Sequence, residues 1–591
     1  MTVRERDEIS DEYKWDVEKV YSSVDEWEKD FEKAKNLIED LKEYEGRVMS
    51  SPEEFSKFMD DYSEAKILVS RLSSYASMRR DEDTRREEFQ SLAAKASSLS
   101  SKLSSDTSFV EIEIQNASEE EYREIVEDSE TEEYSHFLEK IRDRKDHTRS
   151  KEIEQILSNL GEVLSSPSDI YSTFTNADLS FPSVEKDGEE VEITQSNFTK
   201  LLKNSDRGLR KEVYQKFYDR FNEFDNTVAQ SLDKEARTNS KFADIRDYSS
   251  SLESALDSKN IPVDVFNSLV DTVNSNLGTL HRHQDLKRDV LGVDELKMWD
   301  VYMPMADSDT EISYEEAKGH ILNALEPLGD EYVEVARRGL ESGWVDVYEN
   351  KGKRPGGYSG GSYDTDPYIL MNFQNDIQSM YTLAHELGHS MHSYFAEEEQ
   401  PYIYSNYGIF LAEIASKVNE QLLTEYLLNE VEDDALKKHV LDYQLENFRS
   451  TLFRQTMFAE FEKEIHESVE EGEVLTSGQL NEKYGEIKQK YYQNADIDDR
   501  IKREWMRIPH FYYNFYVFQY ATGISIATYI REEVIENGRK DDYIEILKSG
   551  GREFPLETLD LMDIDPDSET FSEAIDQYRE YLDKAEELFQ S

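Results

Sequence analysis

Apolar residues recur at helical spacing along most of this chain. Between residues 10 and 165 Gly and Pro are almost absent. Sets such as Val17, Val20, Tyr21, Val24 and then Phe31, Ala34, Leu37, Ile38, Leu41 repeat every three or four positions. The pattern predicts antiparallel helices. It breaks at residues 179–193, where Val184 and Val191 flank Asp187-Gly188, a hairpin turn signal. Helical periodicity resumes in 201–224 and continues through 266–291 and 332–340. The clearest interruption is 351–366, KGKRPGGYSGGSYDTD, with five glycines. Glycine has no side chain to hold a ligand or a second strand away from the backbone. A short apolar run, 368–373, predicts a strand that leads directly into a helix.

That helix carries the chemistry. With Leu387 at zero and about 100° per residue, Met380, Leu383, Ala384, Met391, Tyr394 and Phe395 fall between about −40° and +80°. This is a complete core stripe. His385, His389 and His392 fall on the opposite face. On a solvated helix they would be three exposed imidazoles; with 11 histidines in the whole chain, three on one face argue for a lined cleft. His385-Glu386-Leu387-Gly388-His389 is an HExxH motif, whose two imidazoles one turn apart suit two ligands of a tetrahedral zinc. Glu386 projects sideways, where a carboxylate can hold water rather than metal. The third ligand has to come from elsewhere. Glu397, Glu398 and Glu399 follow too closely to fold back. A helix over 410–427 has a core stripe of Leu411, Ile414, Val418, Leu422 and Leu423, with Glu413, Lys417, Glu420 and Thr424 opposite. Periodicity leaves Glu413 and Glu420 equal.

Composition narrows the possibilities. At 591 residues, two or three packed units are expected. Lys and Arg total 68 against 129 Asp and Glu, a net charge of −61. Such a field repels phosphate backbones and anionic lipids, so nucleic-acid and membrane partners are not expected. At 37% hydrophobic residues the chain has a core to build, so the acidity reads as a hydrated surface suited to high salt. No cysteine is present, and the first residues are charged rather than apolar. A soluble, cytoplasmic protein is expected. Residues 508–530 lack Asp, Glu, Lys and Arg, yet they hold Pro509, His510, Asn514, Gln519 and five tyrosines. The run reads as a buried helix lining a polar cleft, not a membrane span.

The strings HELGHSMHSYF, IFLAEIAS and IPHFYYNFYVFQYATG resemble oligoendopeptidase F, of the thimet-oligopeptidase-like (M3) zinc metallopeptidases. The likeness runs nearly the whole length, and the segments Asn176-Ala177-Asp178-Leu179 and Ser205-Asp206-Arg207-Gly208-Leu209-Arg210 share it. The resemblance implies a mainly α, zincin-like fold: a two-lobed helical shell around a deep substrate channel, with a small β element beside the HExxH helix. It implies an N-terminal helical region (1–115), a helical segment ending in a hairpin (116–195) and a catalytic domain (196–591). By the same likeness His385, His389 and Glu413 hold one Zn²⁺ per chain, Glu386 is the general base, and Glu420 anchors a ligating histidine. The oxyanion stabilisers are implied to be His510 with a choice among Tyr512, Tyr513, Tyr516 and Tyr520; His510, Tyr513 and Tyr520 are favoured here. The expected activity is hydrolysis of internal bonds in short peptides, with strand 368–373 offering its edge to an extended substrate. The alternatives are a zinc carboxypeptidase of related fold and a non-catalytic peptide-binding protein on the same scaffold.

Overall fold

A computed structural model describes residues 3–306 and 311–590. Helices make up most of it, and its strands are all short. The chain divides into two compact units.

The first unit comprises Met1–Asp146, Glu311–Tyr426 and Ile530–Asp563. Its N-terminal helices Val24–Leu41, Pro52–Glu82 and Glu87–Asp106 pack on one another. Two of them begin where the sequence supplies a cap. The Ser23 hydroxyl accepts from the Glu26 N–H, and Ser51 does the same for Glu54, with Pro52 in the first turn. The cap at Ser23 also separates Val17, Val20 and Tyr21 from the first helix. Those residues belong to a tight turn, Val17–Lys19, and the segment after it.

Against these helices lies a three-stranded sheet. Tyr368–Leu370 is its central strand, parallel to Val345–Asp346 on one side and antiparallel to Tyr358–Gly360 on the other. The N–H groups of Ile369, Met371 and Phe373 donate to the carbonyls of Trp344, Asp346 and Val347 at 2.8–2.9 Å. This corrects the expectation that 368–373 offers an edge to substrate. A buried apolar strand needs partners for its backbone on both sides, and it has them. The outer strand is Tyr358–Gly360, from the glycine-rich segment. The sheet is tied down through Asp346, only 1% exposed, which receives Arg6 at 2.6 Å and Lys353 at 2.5 Å.

The HExxH helix, Ile377–Glu399, starts at Asp376, whose carboxylate accepts from the Ser379 N–H at 2.7 Å. Met380, Leu383, Ala384, Leu387, Met391 and Phe395 are buried as the wheel requires. Helix Lys540–Ser549 packs along it. The contact is pinned by Gln400 Nε2 on the Lys548 carbonyl at 2.8 Å and by Gly551 N–H on the Tyr404 carbonyl at 2.7 Å.

The second unit comprises His147–Thr310, Leu427–Tyr529 and Ile564–Ser591. The hairpin is Ser183–Lys186 paired with Glu189–Glu192, Lys186 opposite Glu189. Asp187 and Gly188 take φ of 54° and 81°, as a two-residue hairpin turn demands. Long helices Asp225–Ile245, Arg454–Glu470 and Ser477–Tyr491 pack together, and Asp434–Phe448 packs on Ser568–Gln590. The run 508–530 is not one helix. It makes a tight turn at Pro509–Tyr512, passes through Asn514 and Phe515 with positive φ, and only then enters helix Phe518–Glu536. Pro509 and the left-handed pair interrupt what the uncharged run alone would continue. No described helix is long and apolar enough to cross a membrane.

Candidate active site

The HExxH helix meets the helix Ile409–Glu430 at Gly388. A Cβ there would lie 2.6 Å from Ser416 Cα and 2.7 Å from the Ala415 carbonyl oxygen, so the two backbones touch. Because the helices cross this closely, carboxylates on either side of Ser416 reach the histidines. His385 Nε2 and His389 Nε2 stand 3.2 Å apart, and Glu413 Oε2 is 4.0 Å from His385 Nε2. One ligand atom from each of the three lies within 4.8 Å of the others. Zinc–nitrogen bonds of about 2.0–2.1 Å in a tetrahedron require nitrogens about 3.3 Å apart. The imidazole pair already has that spacing. Two imidazoles and a carboxylate also match the ligand set of hydrolytic zinc sites that keep one position open.

Glu420 stands on the other side of the crossing. Its Oε1 accepts from His385 Nδ1 at 2.6 Å and from Lys417 Nζ at 2.8 Å. Burial works to raise the Glu420 carboxyl, but Lys417 and His385 outweigh it and hold it at about 2. An ionised acceptor on Nδ1 fixes that nitrogen as the donor; burial lowers the His385 ring but the bond to Glu420 raises it, and in the neutral form that a metal would bind, the lone pair is on Nε2. His389 is pushed down to about 3, by burial first and by His385 second, so its ring is neutral. Burial raises the Glu386 carboxyl, opposed by His385 and by the backbone N–H of Ser359 in the outer strand. That strand presses on the HExxH helix. A Cβ at Gly357 would sit 3.3 Å from Thr382 Cγ2 and 3.6 Å from Glu386 Oε1, and Ser359 Oγ is 2.8 Å from Ser390 Oγ. The five glycines signalled a close approach; Ser359 itself carried no sequence signal.

The third histidine of the face behaves differently. His392 is buried, its ring stacked on Tyr407 at 3.4 Å and 5°, and neither ring nitrogen has a protein partner. Only two of the three imidazoles expected to line a cleft share the donor set. Tyr407 arrives from the connection between the two helices, and helical periodicity cannot foresee it.

In the second unit, His510 stands among Tyr513, Tyr516 and Tyr520, with ring centroids 5.6, 6.3 and 6.2 Å away. Tyr513 is 52% exposed. Tyr512 turns away: it is buried and stacked on Tyr171 at 4.4 Å. The His510 ring is pushed down, by burial and then by Arg454, which favours a neutral imidazole. Upstream, the turn Ile501–Arg507 is anchored by fully buried Glu504, which accepts from Arg454, Lys488 and Tyr484 at 2.8, 2.6 and 2.7 Å.

A candidate donor set of this kind, with the HExxH glutamate beside it, is what a metallopeptidase would require. Comparison with known proteins takes this further. Residues 200–577 match peptidase family M3, and residues 113–181 match the family described as Oligopeptidase F. Oligopeptidase PepF of Bacillus subtilis (strain 168) is 41% identical over 99% of this chain and 88% of its own length. A solved structure of oligoendopeptidase-F from Enterococcus faecium superposes with a TM-score of 0.75 at 32% identity, covering 96% of this chain and 99% of that one. A protein of known structure from Chlamydophila abortus gives a TM-score of 0.90 at 31% identity over 99% of this chain and all of its own. The chain belongs to peptidase family M3, and it is a metalloendopeptidase.

Proposed function

We propose that the protein is a zinc endopeptidase of short oligopeptides. His385, His389 and Glu413 hold the ion, and Glu386 moves the proton. The observation that carries this reading is the pair of imidazole nitrogens 3.2 Å apart with a carboxylate oxygen completing the set. Bound there, zinc would supply a Lewis acid for the scissile carbonyl and a water acidified towards neutral pH. Glu386, raised by burial, takes the proton from water and delivers it to the leaving amine. Glu420 keeps His385 in the tautomer a ligand needs. His510, Tyr513 and Tyr520 are assigned as neutral donors to the oxyanion, on the family likeness and their shared cluster. The outer strand Tyr358–Gly360, half-exposed throughout, is the backbone edge on which an extended peptide would pair, indifferent to its side chains.

The test combines metal content with turnover. The purified enzyme should carry one zinc per chain and cut a peptide blocked at its C-terminus, which a carboxypeptidase leaves intact. Glu386→Gln should keep the zinc and lose at least about 100-fold in rate, the lower range of general-base catalysis. Near-parental activity in that variant, or strict dependence on a free C-terminus, would refute the assignment.

A further inference from the structure

The tyrosine cluster hangs on a turn the sequence does not favour. Asn514 and Phe515 are consecutive non-glycine residues with φ of 43° and 54°. Asparagine tolerates the left-handed region, but a bulky aromatic residue there is an outlier that its surroundings must enforce. The enforcement comes from one helix, Arg454–Glu470. The Phe515 N–H donates to Glu462 Oε1 at 2.6 Å. One turn along, the ring of His466 packs on the Phe515 ring at 4.7 Å, and His466 Nδ1 lies 2.8 Å from the Glu462 carbonyl oxygen. Phe266 closes the other side at 5.8 Å. Backbone and side chain of one residue are thus gripped from successive turns.

We propose that Glu462 is a positioning residue, whose bond to Phe515 keeps Asn514-Phe515 left-handed and so sets where His510, Tyr513, Tyr516 and Tyr520 stand. The cost of the glutamate supports this. Glu462 is fully buried, and its Oε2 has no protein partner. Burial raises its carboxyl to about 8, with Glu235 adding to the rise and the Phe515 N–H and Lys259 opposing it. A leucine or methionine would fill that volume without desolvating an acid. What the acid adds is an acceptor for a single backbone N–H, at the point that separates His510 and Tyr513 from Tyr516 and Tyr520. Were the pair to relax to negative φ, the chain would leave the turn in another direction and the cluster would disperse. The catalytic consequence rests on the donor role proposed above for His510, Tyr513 and Tyr520.

The test uses the full chain and two variants. Glu462→Gln keeps both volume and acceptor, and should retain kcat within about 3-fold. Glu462→Met keeps volume only. It should lose on the order of 100-fold in kcat, the scale of a misplaced catalytic group, with KM and bound zinc unchanged. Parental kcat in Glu462→Met, or a Glu462→Gln as slow as Glu462→Met, would each overturn the inference. Amide hydrogen exchange gives an arm independent of rate. The Phe515 N–H should be strongly protected in the parent enzyme, and amides 510–516 should exchange faster in Glu462→Met. An unprotected Phe515 amide overturns the inference even if the methionine variant fails to fold. Should Tyr513→Phe and Tyr520→Phe both turn over at the parental rate while the exchange result holds, the donor reading falls and the hold of Glu462 on the turn stands.

Discussion

At the scale of single residues, Glu413 and Glu420 are the informative pair. They are seven positions apart, so a helical wheel superimposes them. What divides them is the partner helix, whose Gly388 touches the backbone at Ser416, between the two. Glu413 is left beside His385 Nε2, and Glu420 beside His385 Nδ1. Glu413→Ala should therefore cost zinc affinity and rate together. Glu420→Ala should weaken zinc binding by about 10–100-fold, the range for an outer anchor, and less than Glu413→Ala does. Zinc titration against a competing chelator measures both, and a reversed order would exchange the two assignments. The histidine face was legible from periodicity because a core stripe is a local property of one helix. The fate of His392 was not, because Tyr407 covers it from outside that helix. The hold of Glu462 on Phe515 was equally hidden, lying in a bond from a backbone N–H to a side-chain carboxylate 53 residues away.

At the scale of elements, the crossing at Gly388 does the positioning. Gly388→Ala would gain about 1 kcal/mol of helix propensity in an isolated helix. Here the methyl would meet backbone atoms at 2.6–2.9 Å, and backbone cannot rotate away. The helices must separate, at a cost of about 1–3 kcal/mol. We expect a lower melting temperature for the metal-free protein and at least about 10-fold weaker zinc binding, since the ligands sit on both helices. A variant at least as stable as the parent with unchanged affinity would disprove the close crossing. Elements were readable where a local signal was taken up: Asp187-Gly188 marked the hairpin, whereas periodicity alone carried Val17–Val24 across the cap at Ser23 that starts the first long helix. Which strand of the small sheet lies outermost was not readable. It depends on Val345–Asp346, two residues contributed from more than 20 positions upstream of the central strand. The uncharged run 508–530 misled for a related reason: its polarity matched a buried helix, while its left-handed turn is imposed by a distant glutamate.

At the scale of the whole molecule, charge dominates. Even if all 68 basic residues were paired, 129 − 68 = 61 acidic ones would remain without a cation. Salt weakens surface ion pairs, but it also screens this larger surplus, and the surplus wins. The melting temperature should rise from dilute buffer to molar KCl, where the screening length falls from about 30 Å to about 3 Å. A flat or falling curve in scanning calorimetry would remove the high-salt reading and leave the peptidase assignment untouched. The segment order of the first unit has a consequence in time. Its proposed metal ligands are complete at Glu413, but the helix that packs along the HExxH helix begins at Lys540, 540 − 413 = 127 residues later. At about 5–20 residues per second, a ribosome needs roughly 6–25 s to make that stretch. Throughout those seconds the nascent chain is itself an extended peptide, and the blade that could cut it is still without its backing.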